Sequence, residues 1–409
     1  MSTKLKVTIL ATSLALLLFT LAGGFVHVRA SSNEGAYRQL SVYSEVLSRI
    51  RGDYVEEPNI PTVTDGALHG LLESLDANSS YLTAAEYKQY KALRTGAKGE
   101  IGAAVSKRFG YAAIVAVIPG GPADKAGIEN SDILESIESK STRDMSLAEI
   151  RGVLQGDPGS TVTVAVVRPR RAEPQKIVIT RDAVNIPPVA DRMLADNVGY
   201  LKVDAFPAGK GQEIAAKIRG LQKQGARKIV LDLRNSASGE ESEGIATANL
   251  FLDHGTITYL QGQKYPRQAF NAEAGQCVTH LPVAVLVNRG TAGPAEIVAA
   301  AILENARGDV VGDKTFGDGS VQKLIELRDN AGALILSVAK YYSPGGKAIQ
   351  DAAVTPNVLV ADTDDDAGGL PDEDQAPANS DEKNVKPRNP QDEQLNKALE
   401  VLKNREIKG

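Results

Sequence analysis

The chain has 409 residues, of which 42% are hydrophobic and 24% are charged, with a formal net charge of −5. This length predicts two or three domains, and the interleaved charges contain no basic stripe of the kind that nucleic acid requires. The single cysteine, Cys277, excludes an internal disulfide and a thiolate metal cage, and the four histidines lack metal-ligand spacing. We therefore expect no metal, no cofactor and no nucleic-acid partner.

The first 30 residues have the pattern of an export segment. Lys4 and Lys6 precede an uncharged apolar run from Val7 to Val26, which is long enough to span a bilayer as a helix. The two lysines predict that the N-terminus stays in the cytoplasm and the rest is exported. A cleaved signal peptide is the alternative, because Val28-Arg29-Ala30 imitates a small-residue cleavage site. Either way, we expect the extracytoplasmic face of the membrane, in a periplasm-like cell envelope.

Residues 31–95 are predicted to be mainly helical. Apolar residues recur at spacings of three and four from Tyr37 to Ile50, which is typical of an amphipathic helix. Gly52 and Pro58 interrupt this pattern. A second helix is expected from Val63 to Leu75, followed by a turn at residues 76–80.

Between residues 96 and 182, short apolar runs alternate with glycine, which predicts a series of short strands. The predicted strands are Ala112–Val117, Ile133–Ile137, Val162–Val167 and Lys176–Thr180. Two helices fit between them, at Pro122–Ala126 and Ser146–Leu154. This content indicates a small, partly open barrel.

From residue 197 the pattern changes to alternating strands and helices. The predicted strands are Gly199–Val203, Lys228–Leu233 and Pro282–Asn288, and the predicted helices are Gly211–Gln224 and Ala295–Glu304. Buried strands alternating with helices predict a sheet that is covered on its faces. Active sites of such sheets lie at the carboxyl ends of strands, so we expect the site near residues 234 and 289–294.

The chain is predicted to end in a linker and one helix. Residues 361–392 are rich in Asp, Glu, Pro, Asn and Gly, which is typical of a solvated segment. The alternative for Asp362 to Asp366 is a calcium site, although the cluster lacks a glycine turn and a distant bidentate glutamate. Within residues 393–409, a helix from Glu393 to Lys403 would dock on the body or bind a partner helix. Cys277, with only His280 near it, is expected to be an inert thiol rather than a nucleophile.

Four segments of residues 96–182 resemble a PDZ domain in order along the chain, namely 99–105, 121–128, 132–134 and 156–162. The resemblance implies that one short stretch binds polypeptide C-termini, and its residues are Ile101, Gly102, Ala103, Ala104 and Val105. Successive N–H groups of the glycine loop would hold the terminal carboxylate, and the adjoining strand edge would take up the peptide as an added strand. A module that no longer binds peptide is the alternative.

The rest of the chain, from about residue 37 to 360, resembles the carboxyl-terminal processing peptidases, also called tail-specific proteases. The motifs occur in the family's order and are Tyr54–Glu57, Leu75–Leu82, Leu231–Asn235, Val287–Ala292, Ala295–Val298, Thr315–Gly317, Gly319–Gln322 and Tyr342–Gln350. The resemblance implies an α+β fold in which an N-terminal helical region precedes an inserted PDZ-like barrel (96–182). A βα core of the ClpP/crotonase type (183–360) would follow.

The same resemblance implies a serine nucleophile, a lysine general base and a glutamine that positions the lysine. In this chain these positions are Gly293, Asp318 and Gln322, so only the glutamine is retained and we expect a degenerate catalytic dyad. The proline and paired glycines that help to form the family's oxyanion hole are replaced after Asn235 by residues 236–239, which read Ser-Ala-Ser-Gly. Thr291 and Lys314 are displaced from the dyad positions, and catalysis falls steeply with such errors.

We therefore expect an exported pseudopeptidase that binds polypeptide C-termini or unfolded segments and acts as an adaptor or regulator. It would be attached to the membrane through its N-terminal segment. The first alternative is an active serine-type endopeptidase that uses residues such as Thr291 and Lys314. The second is a structural partner of an active paralogue, and a homo-oligomer is also open.

Overall fold

The computed structural model describes Leu14 and residues 37–96, 99–108, 110–168, 173–361 and 392–404. The predicted anchor (Val7–Val26) therefore lies outside the described residues apart from Leu14, and so does the predicted linker apart from its two end residues. Within the described part of the chain, no helix is both long enough and apolar enough to cross a bilayer. The chain forms two compact units that divide after Leu68.

The α-helices are numbered α1 to α10 in chain order. They are 37–53, Ile60–Glu73, Ala84–Gly96, Pro122–Lys125, Leu147–Leu154, Lys210–Lys223, Glu241–Asn249, Pro294–Glu304, Ile349–Ala352 and Glu393–Lys403. Helix α2 begins earlier than the sequence predicts because Asn59 caps it. The Asn59 side chain accepts a hydrogen bond from the Thr62 N–H at 3.3 Å, which satisfies a donor of the first turn.

The strands are numbered β1 to β17. They are Ser80–Leu82, Ala103–Arg108, Tyr111–Val117, Ile133–Ile137, Lys140–Ser141, Thr161–Val167, Gln175–Thr180, Ala190–Leu194, Val198–Lys202, Lys228–Asp232, Thr256–Gln261, Gln268–Asn271, Val283–Val287, Gly308–Gly312, Ser320–Glu326, Ala333–Tyr342 and Val358–Leu359. They form three sheets, one in the barrel and two in the core.

Strands β2 to β7 form the predicted small barrel, with helices α4 and α5. The sheet has the order β2-β3-β4-β6-β7, with β5 paired to β4. The predicted strands and helices of this region are confirmed, each with ends shifted by at most one residue. Ser146 fixes the start of α5, since its hydroxyl accepts a hydrogen bond from the Glu149 N–H at 3.2 Å. Strand β2 ends the order, so one of its edges faces away from β3.

The main sheet of the core has the order β17-β14-β13-β10-β9-β8. Its strands from β9 to β17 are parallel, and β8 is antiparallel to β9. Side chains alternate between the two faces, as strand geometry requires. Leu231 and Val285 belong to a core with α6 and α8, whereas Val230 and Leu286 belong to a second core with α10. Both faces are therefore apolar, which explains the uninterrupted apolar runs of β10 and β13.

Helix α10 docks on the chain's own sheet, which decides between the two roles that its sequence allowed. Ala398 and Leu402 are fully buried among residues of β10, β13 and β14. Arg234 strengthens the docking by pairing with Asp392 at 2.8 Å. The predicted range of this helix, Glu393–Lys403, is confirmed.

The third sheet joins distant parts of the chain. Strand β16 pairs with β1, β11 and β15, so the motif Leu75–Leu82 lies beside residues more than two hundred positions later. The Asp76 carboxylate accepts a hydrogen bond from the Ser337 hydroxyl at 3.0 Å. Asn78 donates to the Ser320 hydroxyl at 3.1 Å. These contacts support β15, which carries Gln322.

Candidate functional site

Three loops meet at the carboxyl ends of neighbouring parallel strands. They are residues 233–239 after β10, 288–293 after β13 and 313–319 after β14. These strands lie side by side in the sheet, so their loops share one edge, as expected for a site in a sheet of this kind. The residues singled out in the sequence near 234 and 289–294 are brought together there.

An asparagine pair holds the first two loops together. The Asn288 side-chain oxygen accepts hydrogen bonds from the N–H groups of Asn235 (2.9 Å) and Gly290 (3.1 Å). Its amide nitrogen donates to the Asn235 side-chain oxygen at 2.9 Å. Glycine is needed at 290 because a Cβ there would lie 2.4 Å from that Asn235 oxygen.

Gly293 is the N-cap residue of α8, at a sharp turn between strand and helix. Its backbone has φ +58° and ψ −120°, a combination that strains any residue with a side chain. Sharp strand-to-helix turns of this kind present nucleophiles in hydrolases, but Gly293 has no side chain to present. A Cβ at this position would meet no other part of the protein within 4 Å, so the turn has room for a serine.

Glu296 connects the turn at Gly293 with the loop that carries Asp318. One carboxylate oxygen accepts hydrogen bonds from the N–H groups of Gly293 (3.1 Å) and Asp318 (2.8 Å). The other accepts from the Gly317 N–H at 2.9 Å and from the Thr315 hydroxyl. The side chain is fully buried, and this burial raises its pKa to about 8.

Glu296 was not recognised as a site residue from the sequence. The signal was nevertheless present, because Glu296 is a charged residue in an otherwise apolar helix start. It stands at the third helical position, where a glutamate reaches back to the N–H of the N-cap residue. Its partners 19 to 22 residues further along the chain depend on the tertiary structure.

The Thr291 side chain forms hydrogen bonds within the turn. Its hydroxyl donates to the Leu233 carbonyl at 2.9 Å and accepts from the Asn288 N–H at 3.0 Å. The residue is fully buried. The hydroxyl therefore stabilises the loops and faces no space in which a substrate carbonyl would fit.

Gln322 lies on β15, where its amide group is held by neighbouring serines. The side-chain nitrogen donates to the Ser320 hydroxyl at 2.7 Å and to the Ser337 hydroxyl at 3.4 Å. Together with Arg151 and Asn78 it lines a cavity of about 270 Å³. The structure thus holds Gln322 through β15 and β16.

The predicted peptide-binding residues and Asp318 line one cavity of about 310 Å³. Residues 101–105 form its wall on the PDZ side, and Ser238, Ala292 and Asp318 form the wall on the core side. Gly102 has φ +73°, a left-handed conformation that favours glycine. It turns the chain directly before β2, where successive N–H groups would meet a carboxylate.

Arg151, on α5, is the positively charged residue that lines this cavity. It was not identified as a site residue from the sequence. Its guanidinium donates to the Val105 carbonyl at 3.2 Å. The side chain is exposed to solvent, but it lies within the cleft that it lines. The enclosing protein lowers its pKa by desolvation, and the negative charge of Asp318 opposes this effect.

Cys277 lies outside this cavity. Its sulfur is 4.0 Å from His280 Nε2, and His280 Nδ1 is 3.9 Å from Asp253. The order resembles a nucleophile, base and acid, but burial raises the pKa of the thiol, whereas a reactive cysteine requires a lowered pKa. Among the residues that the structure describes, no group of three or more His, Cys, Asp or Glu could hold a metal ion.

A PDZ domain beside a βα core, with a strand-turn-helix site between them, defines a peptidase architecture. Residues 197–360 match peptidase family S41, and residues 114–168 match the PDZ domain. The structure is similar to a photosystem II D1 C-terminal processing protease, with a TM-score of 0.65 and 25% identity over 78% of this chain and 92% of that chain.

Two relatives support the same assignment at the level of sequence. The carboxy-terminal-processing protease of Bartonella bacilliformis is 31% identical over 81% of this chain and 77% of its own length. The carboxyl-terminal-processing protease of Picosynechococcus sp. is 36% identical over 67% of each chain. The chain therefore belongs to the carboxyl-terminal processing protease family, as its motifs predict, and its α+β fold is that of the family.

Proposed function

We propose that this protein is an exported pseudopeptidase that binds polypeptide C-termini or unfolded segments and acts as an adaptor or regulator. The observation that carries the proposal is Gly293, which stands where a strand-to-helix turn would present the nucleophile and has no side chain. Asp318 supports it, because a carboxylate lacks the proton-accepting amine that the family's mechanism requires. The groove of residues 101–105 remains beside these positions.

Binding without cleavage follows from which parts of the site are intact. The hydrogen bonds of the asparagine pair, Asn235 and Asn288, and those of Glu296 hold the loops in place. A bound polypeptide would therefore meet an ordered surface. The groove supplies a strand edge and a glycine loop, which are the recognition elements of β-augmentation. Without a nucleophile the bound segment would be released unchanged.

The proposal includes export and membrane attachment, which rest on Lys4, Lys6 and the apolar run Val7–Val26. A positively charged start followed by an apolar run of this length directs the following chain across the membrane. Fractionation with external protease treatment tests this part. If the chain resists external protease in intact cells and still resists it after the outer envelope is opened, export is contradicted.

The test of the main proposal uses the full chain purified in mild detergent with an unfolded protein such as casein. We expect binding without cleavage. The double reversion Gly293→Ser with Asp318→Lys is the matched variant, because the turn has room for the serine. Cleavage by the reverted chain alone would show that the missing side chains are the reason for inactivity.

An active serine-type endopeptidase is the second candidate, because the relatives are processing proteases and Ser238 brings a hydroxyl into the cavity that contains Asp318. This candidate predicts that the natural chain cleaves casein. Ser238→Ala would then abolish the cleavage, and cleavage by the natural chain would by itself refute the pseudopeptidase proposal.

A further inference from the structure

His69, in α2, lies where the helical N-terminal region joins the rest of the chain. It is the first residue of the second compact unit, which begins directly after Leu68. Its ring Nε2 is 3.5 Å from a carboxylate oxygen of Glu86, in the first turn of α3. The two side chains expose only 24% and 29% of their surface, and salt screens such partly buried pairs less than exposed ones. The pair therefore joins the end of α2 to the start of α3.

Glu86 is held in place independently of His69, because it also caps α3. The same carboxylate oxygen accepts a hydrogen bond from the Thr83 N–H at 2.8 Å. The Glu86 N–H donates in return to the Thr83 hydroxyl at 3.3 Å, which is the reciprocal pattern of a capping box. A protonated His69 therefore meets an acceptor whose position is already fixed.

The ring of His69 is positioned as well. It stands edge-on to the ring of Tyr81 on β1, with 5.3 Å between the ring centroids and an angle of 71°. Tyr81 is itself buried, and its hydroxyl donates to the Ala331 carbonyl at 3.0 Å. The imidazole thus packs against a fixed side chain of the core and faces Glu86 with one nitrogen.

Three carboxylates act on His69, and they are Glu86 of α3, Glu149 of α5 and Glu73 of α2 itself. Two of them have lysine partners, since Glu149 pairs with Lys140 at 2.6 Å and Glu73 with Lys107 at 3.2 Å. Lys107 lies on β2 and also donates to the Met145 carbonyl at 2.7 Å. Glu73 therefore ties the same end of α2 to the strand that carries groove residues 103–105.

We propose that His69 and Glu86 form a pH-sensitive clamp, which holds the end of α2 on the body of the protein in mildly acidic solution and releases it in mildly alkaline solution. Histidine is suited to this role because its charge changes near neutral pH. The clamp acts on a helix end that also contacts the groove strand, and this device goes beyond the proposed binding of polypeptides.

The pH window follows from the two partners. The hydrogen bond to Glu86 raises the pKa of His69 above its ordinary value of 6.5. The same bond lowers the pKa of Glu86 to about 2, so Glu86 stays ionised through the neutral range and His69 is the partner that titrates. A raised folded-state pKa means that the contribution is complete below 6.5 and is lost as pH rises through the folded-state value.

The test measures hydrogen–deuterium exchange of the full chain in mild detergent by mass spectrometry, with rates corrected for the pH dependence of chemical exchange. We expect protection of residues 69–75 to fall roughly fivefold between about pH 5.5 and about pH 8.5, as for loss of one partly exposed ion pair. His69→Arg keeps a cation at both pH values and should stay protected at both. His69→Gln should show the low protection at both.

Glu86→Gln is a second route to the same result, since its side-chain oxygen can still accept from Thr83 while the charge is lost. It should also remove the pH difference. His280→Gln is the matched control, because His280 is exposed and pairs with Asp253 instead, and it should keep the fall. Equal protection of the natural chain at both pH values would overturn the inference. A fall in His69→Arg as large as in the natural chain would do the same, because another group would then be the one that titrates.

Discussion

Replacing Glu296 by Gln tests whether the buried carboxyl group organises the site and how it titrates. Glutamine keeps the shape and one oxygen, which can still accept from Thr315 and Gly317. Its amide nitrogen would face the N–H groups of Gly293 and Asp318, which now donate to a carboxylate oxygen. An unsatisfied buried donor costs about 1–3 kcal/mol, so we expect a loss of this order at about pH 5.

The same pair of proteins should differ in the pH dependence of their stability. The pKa of Glu296 is about 8 in the folded chain, against an ordinary value of 4.5. The folded state therefore binds more protons than the unfolded state between these values, and stability falls as pH rises through this window. The maximum slope is about 1.4 kcal/mol per pH unit. The Gln variant lacks this titration, so the advantage of the natural chain should shrink toward pH 8.

Urea unfolding of both chains, followed by circular dichroism between about pH 5 and about pH 8, measures this difference. Other titrating groups, such as the pair of His69 and Glu86, are common to both chains and cancel. Glu400→Gln, at an exposed position of α10, is the control and should leave the pH profile unchanged. An advantage that stays constant, or grows with pH, would refute the reasoning about burial.

Two further predictions concern packing. Leu402→Ala should lower the free energy of unfolding by about 2–5 kcal/mol because Leu402 is fully buried. Glu400→Ala, at an exposed position, should change it little. Equal urea midpoints for the two variants would show that α10 does not stabilise the core. Gly239→Ala should destabilise the core more than Gly293→Ala. A Cβ at 239 would lie 2.2 Å from the Phe206 carbonyl oxygen, whereas Gly293→Ala adds only backbone strain of about 1–3 kcal/mol. Thermal unfolding measures both variants, and a lower midpoint for Gly293→Ala than for Gly239→Ala would contradict this account.

The local pattern of the chain was sufficient to locate most helices and strands of the barrel and the βα core. Apolar runs such as β13 and the capped start of α5 depend on neighbours within a few residues, and these are visible in the sequence. The motifs also identified the family, and they predict Gly293, Asp318 and Gln322 as the positions of the dyad and its glutamine. The range of α10 was predicted for the same reason, since its apolar spacing is local.

Other features depend on contacts between distant residues, which no local pattern contains. The pairing of β1 with β16, the docking of α10 on the second face of the sheet, and the hydrogen bonds of Glu296 to the Asp318 loop are of this kind. So is the position of Arg151, which is one charged residue among many on exposed helix faces in the sequence. Only the fold brings it to the Val105 carbonyl and into one cavity with Asp318, because the inserted barrel and the core must first pack against each other.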